Sequence, residues 1–153
     1  MKKFVTYRSA TAQDWPPIEE LLGAARLPLD GARDNLEDFL IGESGGAICC
    51  VGGYERYGEV ALLRSVAVAH GYRGQGIGEH LLEAIRERAR AQGVRHLYLL
   101  TTTAADFFSR HGFTVVGRDT APAELHTSHQ FQGVCPASAT CLAASLFIEP
   151  GLR

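Results

Sequence analysis

The densest chemistry in the chain lies in one stretch, Val66-Ala67-Val68-Ala69-His70-Gly71-Tyr72-Arg73-Gly74-Gln75-Gly76-Ile77-Gly78. An apolar run feeds a glycine-rich loop, and the loop opens the clearest helical pattern in the sequence. A helix start presents several backbone N–H groups to one spot, with about half a positive charge from the helix dipole. Glycines let an oxyanion approach the backbone with no Cβ in the way. Arg73 adds a charge and a planar fork of donors. The chemistry implied is phosphate or pyrophosphate binding; the bland alternative is a set of turn glycines. Two familiar nucleotide motifs fail. A P-loop needs Gly-Lys-Ser/Thr after four spacers, and the chain has none. A dinucleotide fingerprint fits Gly74 and Gly76, but Glu79 stands where the third small residue belongs.

The elements around this loop alternate between strand and helix patterns, so the chain reads as an α/β or α+β domain. Phe4 to Arg8 reads as a first strand. A helix follows, capped at Thr11 or Asp14, with Pro16 and Pro17 in its first turn, Ile18, Leu21, Leu22 and Ala25 on one face, and Pro28 at its end. Arg33 to Asp38 reads as a short second helix. Strands are expected over Phe39 to Glu43 and Ala47 to Tyr57, with Gly52-Gly53 as a bulge. Gly58-Glu59 turns the chain into Val60 to Ala69, an apolar run suited to a central strand. Ile77, Leu81, Leu82, Ile85 and Ala89 form one helical stripe that stops at Gly93. Leu97 to Thr101, Phe113 to Gly117 and Ala137 to Leu146 read as strands. Ala104 to His111 and Pro122 to Gln130 read as helices.

The chain has 153 residues, of which 46% are hydrophobic and 21% charged, an ordinary globular composition that excludes disorder. One domain, residues 1–153, is expected. Fifteen Lys and Arg against 17 Asp and Glu give −2, which argues against a broad nucleic-acid footprint. No run approaches a membrane span, and Met1 to Arg8 lacks the apolar core of a signal peptide. Cys49, Cys50, Cys135 and Cys141 therefore read as reduced thiols in a cytoplasmic protein. Cys49 and Cys50 are adjacent and would face opposite ways on a strand. Cys135 and Cys141, if the chain between them is extended, would lie about 20 Å apart. Small core residues are the simpler reading of all four. Among the six histidines only His126 and His129 have a ligand-like spacing, and no third ligand is obvious, so no metal site is expected.

The pattern Arg73-x-x-Gly76-x-Gly78 resembles that of the Gcn5-related N-acetyltransferase (GNAT) superfamily, where the motif follows the fourth strand. Leu63-Arg64-Ser65-Val66-Ala67-Val68 resembles the family's bulged fourth strand, Leu97 to Thr101 its fifth, and Phe107-Phe108-Ser109-Arg110-His111-Gly112-Phe113 its helix ending in Gly-Phe. Three strings are similar to a subgroup associated with bacterial arsenic-resistance genes: Leu62 to Ser65, Thr101 to Phe108, and Cys135-Pro136-Ala137-Ser138-Ala139.

The resemblance implies a mixed, mostly antiparallel sheet with flanking helices. It implies acetyl-coenzyme A (acetyl-CoA) as co-substrate, its pyrophosphate on Arg73, Gly74, Gln75, Gly76, Ile77 and Gly78. Its pantetheine arm would pair along Val66, Ala67 and Val68, with Phe107, Phe108 and Arg110 beside it. The acceptor amine must lose a proton before it attacks. Glu59 is the candidate base, against a solvated turn residue. Phe108 stands where many members have the Tyr that protonates the leaving thiolate. Water, Ser138, Cys135 and Tyr98 are the alternatives for that proton. Arg64, in an apolar strand, needs a partner: an internal carboxylate, or an anionic substrate. Trp15 either lines the acceptor pocket or packs at the helix start. The expected function is acetyl transfer to the amine of a small acidic amino-acid-like metabolite or toxin, an organoarsenical or phosphinate analogue of glutamate being one form, with detoxification as its purpose. A homodimer is left open. The rival readings are a non-catalytic acetyl-CoA-binding regulator and a thiol-based metalloid-binding protein.

Overall fold

The computed structural model describes residues 4–146. Its strands are β1 (Thr6–Ser9), β2 (Phe39–Ser44), β3 (Ala47–Tyr57), β4 (Val60–Val68), β5 (His96–Thr101), β6 (Thr114–Val116) and β7 (Thr140–Ser145). Its α-helices are α1 (Trp15–Ala24), α2 (Ile77–Ala91) and α3 (Ala105–Arg110). The seven strands follow the order β1-β2-β3-β4-β5-β7-β6. β4 runs parallel to β5, while β1–β2, β2–β3, β5–β7 and β6–β7 are antiparallel. The mixed, mostly antiparallel sheet expected from the sequence is present.

The chain divides into two compact units. The first combines residues 1–55 with 63–85. Its core joins Trp15, Ile18 and Leu22 of α1 to Phe39 and Ile41 of β2, Val51 of β3 and Ala67 of β4. α1 begins where Asp14 accepts from the Thr11 backbone N–H at 2.8 Å. It ends in a Schellman motif. The Leu27 N–H reaches the Leu22 carbonyl at 2.9 Å, that of Arg26 reaches Gly23 at 3.1 Å, and Arg26 is left-handed with φ 57°. The helix thus stops before Pro28 acts on it.

The second unit combines residues 56–62 with 86–153. Here Leu62, Ala121 and Leu125 are buried together, with Tyr57, Val60, Tyr98 and Phe131 packed on them. α2, of which residues 77–85 belong to the first unit, carries the expected apolar stripe: Ile77, Leu81, Leu82, Ile85 and Ala89 are all buried. Gly93 follows it at φ 90°.

Three sequence expectations need correction. The register shift lies between Gly42 and Glu43, not at Gly52-Gly53. Gly52 and Gly53 pair regularly with Leu40 and Phe39, and they are glycines because of close approach. A Cβ on Gly52 would sit 2.7 Å from Ile85 Cδ1, and one on Gly53 would enter the Phe39 ring. Residues 33–38 form the short helix expected there, in 3₁₀ geometry with a kink at Asn35. Residues 122–130 are not one helix. A 3₁₀ turn spans Ala123–Thr127, and a kinked π-like turn spans Gln130–Val134, with Gly133 at φ 120°. Arg118 organises this segment instead. It donates to the carbonyls of Pro136 (2.8 Å), Phe131 (3.2 Å) and Cys135 (3.5 Å). Finally, β1 starts at Thr6 rather than Phe4.

Candidate functional site

β4 ends at Val68, and the Ala69 N–H is held by the Cys49 carbonyl at 2.7 Å. One 3₁₀ turn, His70–Tyr72, then delivers Arg73. Gly74 and Gly76 adopt φ 77° and 78°, the left-handed region where a side chain costs about 1–2 kcal/mol. Nothing lies within 4 Å of the Cβ either would carry, so conformation rather than crowding selects glycine here. α2 starts directly at Ile77, and its first helical bond runs from His80 N–H to the Gly76 carbonyl at 3.2 Å. The N–H groups of its opening turn have no intrahelical acceptor.

Arg73 is exposed and folds back so that Nε donates to the Val68 carbonyl at 3.0 Å. Gln75 Nε2 lies 3.5 Å from the Gly71 carbonyl, and its buried Oε1 has no partner among the described residues. A cavity of about 510 Å³ opens beside this loop. Val68, Ala69, His70 and Arg73 line it from one side, Leu21 and Ala24 from α1. Amides at a helix start, two unencumbered left-handed glycines and a guanidinium together fit a diphosphate.

Arg64 is 4% exposed and its partner is internal. Nη1 donates to Glu55 Oε2 at 2.7 Å and to the Asp30 carbonyl at 2.6 Å. Nη2 donates to the Pro28 carbonyl at 3.1 Å, and Nε to Ser65 Oγ at 3.0 Å. Of the two partners expected for Arg64, the internal carboxylate is the one present. Glu55 was the residue that sequence reasoning missed. The signal existed: a two-residue turn at Gly58-Glu59 puts Glu55 and Arg64 on one face of the hairpin, within diagonal reach. Trp15 is 8% exposed and belongs to the first unit's core, with the Arg33 guanidinium 5.3 Å over its ring. Of its two readings, packing is the one observed.

Glu59, Phe107, Phe108, Arg110 and Ser138 belong to the second unit. Glu59 is exposed in the β3–β4 turn, and its carbonyl accepts from Arg95 N–H at 2.7 Å. Phe108 is 6% exposed, in edge-to-face contact with Phe107 and Phe113. Arg110 is exposed. Ser138 is exposed in a turn closed by Ala139 N–H on the Pro136 carbonyl at 2.9 Å. That turn also means residues 135–141 are not fully extended, so the 20 Å spacing inferred for Cys135 and Cys141 does not apply.

All four cysteines are buried, and none is in a disulfide. Burial, reinforced by Cys49, pushes the Cys50 thiol up to about 12. Cys135 donates to Gln130 Oε1 at 3.1 Å. His126 meets the Ala121 carbonyl and the Phe131 ring. Among the described residues, no three His, Cys, Asp or Glu side chains group as metal ligands would. None of the described helices is long and apolar enough to cross a membrane.

Comparison with known proteins adds three likenesses. The amino-acid acetyltransferase of Mannheimia succiniciproducens is 31% identical over 134 residues, covering 82% of this chain and 30% of that protein. This chain thus spans about a third of the length of such relatives. The N-acetylglutamate synthase of Neisseria gonorrhoeae, solved with coenzyme A and N-acetyl-glutamate, superimposes with a TM-score of 0.82 at 23% identity. That match covers 97% of this chain and 36% of the synthase chain. Rv2747 of Mycobacterium tuberculosis, solved with CoA, gives a TM-score of 0.78 at 21% identity, covering 93% of this chain and 99% of its own. At those identities the two structures speak to fold alone. Residues 35–115 match the acetyltransferase (GNAT) domain. That match takes in β2 to β5, the Arg73–Gly78 loop and α2, and on it the chain belongs to the GNAT acetyltransferase family.

Proposed function

We propose that residues 1–153 act as one acetyl-CoA-dependent N-acetyltransferase domain, moving acetyl to the primary amine of a small acidic amino-acid-like acceptor. The observation that carries this reading is the loop from Arg73 to Gly78, where left-handed glycines and the start of α2 offer a diphosphate several amides at once. In this reading Arg73 leaves the Val68 carbonyl to meet phosphate oxygens, and Val66, Ala67 and Val68 align the thioester arm. Acetyl-CoA supplies an activated acyl group. The chain supplies position, which alone is worth several kcal/mol when two reactants are held in register.

The acceptor amine attacks directly and gives up one proton. Glu59 is the proposed base: an exposed carboxylate can pass that proton on to water. Ser138 is the proposed relay to the leaving thiolate, passing on a proton that it takes back from water, since Phe108 has no hydroxyl. Phe107, Phe108 and Arg110 are proposed to flank the cofactor. The relatives named amino-acid acetyltransferases support an amino-acid-like acceptor. The strings around Leu62, Thr101 and Cys135 favour an organoarsenical or phosphinate analogue of glutamate within that class, acetylation removing the charge by which amino-acid enzymes would recognise it.

The test is release of coenzyme A from acetyl-CoA with acidic amino acids, their phosphinate and arsinate analogues, and peptide and polyamine controls. Turnover with the acidic amines, lowered tenfold or more in Glu59→Gln at neutral pH, is expected. Turnover confined to peptides or polyamines would overturn the acceptor class. Tight cofactor binding without turnover of any amine would favour the regulator reading.

A further inference from the structure

Arg64 sits one residue before the only non-glycine strand position with left-handed backbone among the described residues, Ser65 at φ 61°. Serine adopts that conformation only at a cost in backbone strain. Ser65 is buried, and the side chain holding it is the guanidinium of its neighbour, through Arg64 Nε and Ser65 Oγ at 3.0 Å. The same guanidinium reaches two other segments: Glu55 of β3, and the Pro28 and Asp30 carbonyls in the connection after α1. Directly beyond the kink come Val66 and Val68, then the glycine loop.

We propose that Arg64 is a positioning residue. It fixes the kink at Ser65 from inside the protein and so sets the direction in which Val66, Ala67 and Val68 run to the cofactor loop. The proposal rests on the acetyl-CoA reading above for its kinetic consequence, and on geometry alone for its structural one. Four acceptors are met by four N–H groups of one planar fork. Lysine has three donors on one atom and cannot reproduce that set. The charge opposite Glu55 is necessary for burial but does not by itself hold Ser65.

The logic gives a specific test. Glycine takes φ near 60° without help, so Ser65→Gly makes the kink independent of Arg64. Wild type, Arg64→Lys, Ser65→Gly and the double variant are compared as a cycle, with Arg64→Met added to remove the charge. Lysine keeps the pair with Glu55, so Arg64→Lys is the variant expected to fold, as checked by circular dichroism. Two readouts are taken. Hydrogen exchange of the peptide spanning residues 63–69 is expected to quicken in Arg64→Lys and to return towards wild type in the double variant. KM for acetyl-CoA is expected to rise about tenfold in Arg64→Lys and by about threefold or less in the Ser65→Gly background, while a purely structural loss would lower stability and leave KM unchanged. Equal effects of Arg64→Lys in both backgrounds would overturn the proposal, as would unchanged exchange. Should the wild type bind no coenzyme A in calorimetry, the functional reading fails, and the exchange cycle still decides the role of Arg64.

Discussion

At the scale of single residues, the buried Arg64 and the strained Ser65 have partners that account for them. Arg64 is inside because Glu55 and two carbonyls receive it. An unpaired guanidinium there would cost several kcal/mol. Another well-formed pair is Arg8 with Asp14, whose two contacts are both 2.8 Å. Hydrogen bonds from Arg8 hold the Asp14 carboxyl well below the usual carboxylate range, aided by Thr11 and opposed by burial. The folded state therefore binds the proton more weakly than the unfolded chain. The stabilisation is present above about pH 4 and is lost as pH falls from there towards the folded value. Asp14→Asn is expected to lower stability at pH 7 by about 1 kcal/mol, much of the ion-pair energy being screened at the part-exposed Arg8. It should also flatten the acid side of the profile. Urea denaturation at pH 7 and pH 3 measures both, and an unchanged acid slope would refute the assignment.

At the scale of elements, close approach decides where glycine is required. β3 carries Gly52 and Gly53 side by side, and their neighbours differ in kind. Gly52 faces the tip of Ile85, a flexible end that can swing. Gly53 faces the Phe39 ring, which is fully buried and has nowhere to go. Gly53→Ala is expected to destabilise by about 2–3 kcal/mol and Gly52→Ala by about 1 kcal/mol. Urea midpoints give the order, and equal losses would mean that the Phe39 ring moves aside. α2 behaves differently. Its apolar stripe is self-evident at 3.6-residue spacing, and its start is dictated by the glycines before it. The segment after β6 shows the converse: with no periodic pattern, its backbone hangs on the Arg118 guanidinium rather than on its own helix.

At the scale of the whole molecule, ligand binding and folding are linked. A ligand that binds only the folded chain stabilises it, by about 2.7 kcal/mol at a hundredfold excess over Kd. Coenzyme A is expected to raise the melting temperature. The rise should shrink in Arg73→Ala and in Gly76→Val, which forces a β-branched residue into the left-handed region. A full rise in both variants would move the phosphate site elsewhere. Inorganic pyrophosphate in place of coenzyme A separates the loop's share from that of the remaining arm.

The periodic and punctuated parts of this protein were legible in its sequence. The glycine loop, the α2 stripe and the apolar β4 all follow from local spacing, because period and backbone permissiveness are properties of neighbouring residues. The bulge in the β2–β3 ladder, the broken turns at 122–134 and the partner of Arg64 were not read that way. Each depends on groups brought together by sheet register or by one long side chain reaching across the chain. Spacing showed that Arg64 needed an anion. Only the packed structure decided that Glu55 provides it, because burial of a charge is settled by which opposite charge the fold delivers within hydrogen-bond reach.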